Sequence, residues 1–167
     1  DLSRGVEATR LRRVELGPEL SVTFQSRDMV LQQVQEMLLA EPGGVAEEEV
    51  EAYAPLVPDG KGLRFVMMVE VENEKRRGER LRQLVGVETH LELRLDDGRV
   101  VRSSPIDDNV HVERVKDGKT SAVHFGKFEM TGVAGVKKVD LACTHSNYSH
   151  VTTLSNETWQ EIKKDLD

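Results

Sequence analysis

The 167 residues carry 23 Lys and Arg against 30 Asp and Glu, a formal charge of −7, with 38% apolar and 32% charged positions and a single cysteine. The acidic balance argues against a nucleic-acid partner, which needs clustered Lys and Arg, and the lone Cys143 excludes an intrachain disulfide or an iron–sulfur cluster on the chain's own thiolates. No apolar run approaches the roughly 20 residues that span a bilayer and no charged-then-apolar leader is visible, so a cytoplasmic protein in a reducing compartment, with no membrane partner, is expected.

Residues 1–19 are polar and arginine-rich and read as an N-terminal arm or a short helix, broken by Gly17-Pro18. Asp1 rather than Met stands first, which leaves open that native residues precede it. Residues 20–167 read as a single α+β domain, a length that supports one real core. Leu20 to Phe24 alternates like a half-buried strand. From Asp28 to Ala40 the apolar residues Val30, Leu31, Val34, Met37 and Leu38 recur at helical intervals, with Ser26 or Asp28 as cap and Pro42-Gly43-Gly44 as stop. The acidic run Glu47 to Tyr53 suits a second short helix. Leu63 to Val71 is nearly continuous apolar sequence, which predicts a strand covered on both faces at the centre of the sheet. Asn73 precedes an amphipathic helix over Glu74 to Val85 with an arginine-rich outer surface.

Leu91, Leu93 and Leu95 alternate with Glu92 and Arg94, and the Asp97-Gly98 turn returns the chain through Val100-Val101 as a β-hairpin. A polar loop is expected from Ser103 through the Asp117-Gly118 turn. Strands follow at Ala122 to Phe128 and Val139 to Cys143, then a helix from Glu157 to Leu166 carrying Trp159 and Ile162. The fold class is therefore α+β, a mostly antiparallel sheet of about five to seven strands with two or three packing helices.

No phosphate-cradling glycine loop, nucleophile elbow or helical His-Glu-x-x-His pair is present. His124 shares a strand face with the small residues Ala122 and Gly126. That leaves room for a ligand or metal above the imidazole, and equally suits a core histidine bonded to a backbone carbonyl. His145-Ser146-Asn147-Tyr148-Ser149-His150 is the densest polar cluster, and its two histidines converge only if Asn147 helps make a turn. Imidazole serves as metal ligand or acid/base near neutral pH, and Tyr148 can donate a proton. Glu36 on the Asp28 helix and Glu88 before a strand could add carboxylate ligands, while Cys143 reads as a buried small hydrophobe.

Several blocks in order resemble a bacterial family described as domain-of-unknown-function family 3501. They are Leu16-Gly17-Pro18, Arg27-Asp28 leading into Gln33 to Leu38, Tyr53 to Gly60, Leu84 to Glu88, Lys119 to Phe125 and His145 to His150. The likeness runs from about Arg10 to the C-terminal helix. It implies an uncharacterised protein in an iron-linked redox or oxidative-stress setting, with rubrerythrin-like or iron–sulfur redox proteins as partners. The family's recurring polar positions match Glu36, Glu88, His124, His145, Tyr148 and His150. The chain departs from it at Thr89-His90, where relatives place histidine directly after the glutamate, and at Ser146, where they often carry proline.

The expected function is an accessory or partner-docking module that holds a small ligand or a metal, iron, manganese or zinc, on this His/Glu/Tyr set. The competing expectations are a small enzyme, with His145 or His150 as acid/base and Tyr148 polarising the substrate, and a purely structural interaction protein. An oligomer is compatible with each.

Overall fold

The structure, a computed structural model, describes residues 2–40 and 47–166. Its helices are α1 (Leu2–Arg12), α2 (Arg27–Ala40), α3 (Glu47–Tyr53), α4 (Glu74–Gln83), α5 (Asp108–Asp117) and α6 (Asn156–Ile162). Its strands are β1 (Arg13–Leu16), β2 (Leu20–Phe24), β3 (Gly62–Val69), β4 (Leu91–Leu95), β5 (Val100–Arg102), β6 (Ser104–Pro105), β7 (Val123–Glu129), β8 (Val139–His145) and β9 (Tyr148–Thr153). The α+β class and the antiparallel pairing are as expected.

The strands divide into two sheets, β1-β2-β3-β7-β6 and β5-β4-β8-β9, rather than forming one. Each sheet has one strongly apolar face, and the two faces share a core. Val22, Phe24, Phe65 and Met67 of the first sheet join Leu91, Leu93, Leu141 and Cys143 of the second in one buried cluster. A sheet with one apolar face must bury it against another layer, and here each sheet supplies that layer to the other. Leu81, Leu84 and Val87 close the core on one side, and Trp159 and Ile162 add to it from α6. The Trp159 indole Nε1 donates to the Val136 carbonyl at 2.8 Å, which satisfies its polar edge in the interior.

The apolar run at β3 does lie mid-sheet, but only one of its faces is fully covered. Leu63, Phe65 and Met67 are buried, whereas Arg64 and Val66 are half-buried and Met68 is exposed. The second face looks onto a groove bordered by α1 and α2, and α2 buries only Val30 of its apolar stripe. Ser26 caps α2 by accepting from the Met29 N–H, and the expected stop at Pro42-Gly43-Gly44 lies outside the described residues.

Residues 2–16 form helix α1 and strand β1. Helix α1 is tied to the far end of the chain by Arg12, whose buried guanidinium bonds Glu161 at 2.8 Å and Asp165 at 2.6 Å. Strand β1 continues the sheet beside β2. Among the described residues no helix is long and apolar enough to cross a membrane.

The expected loop from Ser103 to Gly118 contains β6 and helix α5. No residue of α5 is buried, so hydrophobic periodicity carries no trace of it. Its ends do carry signals. Asp107 accepts from the Asn109 and Val110 N–H groups as N-cap, and Gly118, at φ 70°, takes the left-handed C-cap position that the sequence suggested as a turn.

Candidate functional site

Strand β7 pairs with β3 so that His124 stands opposite Met67 and Gly126 opposite Phe65, all on the core face. The room expected beside His124 at Gly126 is filled by the Phe65 ring, which a methyl group there would overlap. Phe65 is buried and stacks on Phe128 with centroids 5.0 Å apart, so it cannot step aside freely. Gly126→Ala is expected to cost about 1–3 kcal/mol by overpacking, read as a lower urea midpoint at unchanged slope.

His124 is buried and carries the hydrogen-bond pattern of one defined tautomer. Its Nε2 lies 2.8 Å from the Ser121 carbonyl and 2.9 Å from Thr120 Oγ1. A carbonyl only accepts, so Nε2 bears the proton and Nδ1 accepts from Arg114 Nη1 at 2.6 Å. Burial pushes the His124 pKa down to about 4; Glu88 opposes that and Arg114 reinforces it. The imidazole is neutral near neutral pH.

Glu88 comes from a short 3-10 turn, Val87–Thr89, that follows Gly86 at φ 84°. It is only 2% exposed, so its carboxylate sits in the interior. Oε1 accepts from His111 Nδ1 at 2.5 Å. Among the described residues Oε2 is buried without a hydrogen-bond partner and lies 3.7 Å from His124 Nδ1, too far for a hydrogen bond. Burial acts to raise the Glu88 pKa, but the His111 hydrogen bond and the backbone N–H outweigh it and hold the carboxyl below its ordinary range.

His111 and Arg114 stand three residues apart on α5, on one helix face. With Nδ1 donating to Glu88, the His111 Nε2 has no protein partner among the described residues. Glu88, His111, Arg114 and His124 together line a cavity of about 720 Å³. Its apolar walls include Ile106 and Phe125, and Phe125 is braced from α3 by Tyr53 at 5.3 Å between centroids. A concave site with apolar walls and convergent polar groups is where a small molecule binds.

Of the six residues expected to act together, Glu88 and His124 share this cavity and the other four do not line it. Glu36 is exposed on α2, accepts from Gln32 and borders the α1/α2 groove. His145 donates from Nε2 to the Val85 carbonyl, accepts at Nδ1 from the Asn147 N–H and meets His90 edge-on. Tyr148 donates to the Leu16 carbonyl at 2.6 Å and accepts from the Glu19 N–H. His150 stacks on Tyr148, and both press against Gly17. The expected turn does form at Ser146-Asn147, but the two imidazoles of the cluster take different partners. Cys143 is buried, which pushes its thiol pKa up and disfavours the thiolate.

Among the described residues no group of three His, Cys, Asp or Glu side chains is arranged to hold a metal ion. The local reason at the cavity is that Arg114 occupies His124 Nδ1 and His111 occupies Glu88 Oε1.

A family model described as protein of unknown function (DUF3501) matches residues 3–166. The chain belongs to this family. A crystal structure of a novel protein of unknown function from Burkholderia pseudomallei K96243 resembles the DUF3501 chain with a TM-score of 0.85 and 32% identity, over 99% of this chain and 89% of that one. No curated protein matches the DUF3501 chain. The residues that sequence reasoning passed over, His111 and Arg114, lie on the helix it read as loop. Their three-residue spacing between Asp107 and Gly118 is the signal that could have found them.

Proposed function

We propose that this protein is an accessory module that binds a small molecule in the Glu88/His111/Arg114/His124 cavity, in the iron-linked redox setting that the family resemblance implies. The observation that carries the reading is the carboxylate–histidine pair: a buried Glu88 orients the partly exposed His111 and leaves its second nitrogen unpartnered among the described residues, in a concave site. Such a pair fixes a tautomer and supplies a proton acceptor at a defined point, the arrangement used in acid–base chemistry and in ligand recognition alike. The enzyme reading therefore moves from His145, His150 and Tyr148 to His111. The acidic surface remains the candidate for docking a redox partner.

A fragment screen by protein NMR tests this. Binders are expected to shift amides of residues 108–117 and 123–129, and His111→Ala is expected to weaken them by about tenfold or more, the scale of one lost charge-assisted hydrogen bond. A screen whose binders all map elsewhere would reject it.

The metal reading keeps one supporting observation, the unpartnered Glu88 Oε2 facing His124 Nδ1 at 3.7 Å. Iron, manganese or zinc on Glu88 and His124 requires the Arg114 guanidinium to withdraw. Elemental analysis of purified protein, before and after chelation, separates the two readings: stoichiometric metal favours the ion, and none after reconstitution favours the organic ligand.

A further inference from the structure

We propose that the Arg114 guanidinium is the receptor for the acid group, carboxylate or phosphate, of a small organic anion with a short apolar body. The proposal deepens the ligand-binding reading of the same cavity and rests on it.

Arg114 is half-buried, and among the described residues no carboxylate lies within ion-pair distance of it. Its one side-chain hydrogen bond there goes to His124, which is neutral. A guanidinium partly withdrawn from water without a counter-ion is costly, and an anion entering the cavity removes that cost. The bond to His124 also aims the group. Because Ser121 fixes the proton on Nε2, Nδ1 must accept, and it takes one N–H of Arg114. The remaining N–H donors are left for a ligand, in the planar fork that matches a carboxylate or phosphate. His124 is thus a positioning residue.

The rest of the lining narrows the ligand. Glu88 makes no ion pair with Arg114: its Oε1 accepts from His111 and its Oε2 lies 3.7 Å from His124 Nδ1. Ile106, Val110 and Phe125 suit a short apolar body. Glu51, Asp107 and Asp108 also line the cavity and are exposed, so they form an acidic rim around a single cation. That rim repels polyanions and admits one acid group at a time.

The test titrates the full chain with butyrate, butyl phosphate and butanol, followed by amide NMR. Butyrate or butyl phosphate is expected to shift residues 108–117 and 123–129, with butanol about tenfold weaker, since only the acid group engages the fork. Which of the two anions binds more tightly identifies the acid. Arg114→Gln is expected to abolish the preference over butanol, and Arg114→Lys to restore part of it. Equal binding of butanol and the anions in the wild type, no anion binding, or anion binding unchanged in folded Arg114→Gln would overturn the proposal. The butanol comparison needs no variant. If neutral fragments bind the cavity through His111 while anions gain nothing, the anion receptor fails and the ligand site stands.

Discussion

Arg12→Ala unfolds about 3–5 kcal/mol more easily than the parent chain, the largest single effect expected in this protein. Arg12 is only 3% exposed yet is fully engaged. Its Nε and Nη2 reach Glu161 Oε2 at 3.0 and 2.8 Å, and its Nη1 and Nη2 reach the two Asp165 oxygens at 2.6 and 3.1 Å. Truncation removes those bonds and leaves two mostly buried carboxylates facing each other, with only the exposed Lys164 ammonium on Glu161 in place of the buried cation. The carboxylates already differ. Burial lifts the Asp165 pKa above its ordinary value despite Arg12, and Glu161 adds to that. Burial also works against Glu161, but Lys164 and Arg12 bring its carboxyl below the ordinary value.

Without Arg12 both would rise, and the α1 contact with the C-terminal segment would weaken. Combining Arg12→Met with Glu161→Gln and Asp165→Asn should recover much of the loss, because the penalty lies in uncompensated charge more than in the absence of the pair. Urea unfolding checks both variants. A cost below about 1 kcal/mol for Arg12→Ala would mean that the triad is effectively solvated, as exposed pairs are.

The second large effect is acid sensitivity written into His124. Its folded pKa, about 4, lies below the ordinary value of 6.5, so the unfolded chain binds this proton more readily. Stability from the neutral imidazole is present above 6.5 and is lost as pH falls from 6.5 towards 4. A depression of that size corresponds to about 3 kcal/mol once both states are protonated. His124→Gln keeps a donor for the Ser121 carbonyl and an acceptor for Arg114 but does not titrate. Comparing urea unfolding at neutral pH and at about pH 4.5, the parent should lose most of that amount and the variant little of it. Glu88 adds a component of the same sign. Its lowered pKa contributes stability above the ordinary value of 4.5 that disappears as pH falls through the folded value, and the part that rests on the His111 and backbone hydrogen bonds should survive in His124→Gln. Identical pH profiles for parent and variant would refute the assignment to His124.

Much of the fold is legible in particular residues. The alternation at Leu20 to Phe24, the apolar run at β3, the Leu91 hairpin and the Asn73 cap of α4 each correspond to an observed element. The elements that escaped are those whose side chains face outward or whose polarity suits a loop. Helix α5 has no fully buried residue, and β9 carries Ser149, His150, Thr152 and Thr153, so its apolar alternation is too weak to read as a strand. The candidate site divides in the same way. Glu88 and His124 stand out in sequence because a charged or imidazole side chain sits beside apolar strands. His111 and Arg114 do not, because solvated residues of a polar helix are everywhere in such a chain.

Composition, hydrophobic period and cap chemistry by themselves determined the α+β class, most strand positions and the absence of a thiolate cluster, because these depend on local preference and on residue type alone, while the family resemblance rests on the ordered sequence blocks from Leu16 to His150. Only the tertiary structure decided that the strands form two sheets around one core, that Phe65 occupies the space beside His124, and that Tyr148 and His145 take backbone partners. It alone brought His111 to Glu88, 23 residues apart in sequence, and gave Arg114 a neutral partner. Those outcomes depend on which non-local surfaces meet, and burial there sets which carboxylate is ionised, which imidazole is neutral and which donors remain for a ligand.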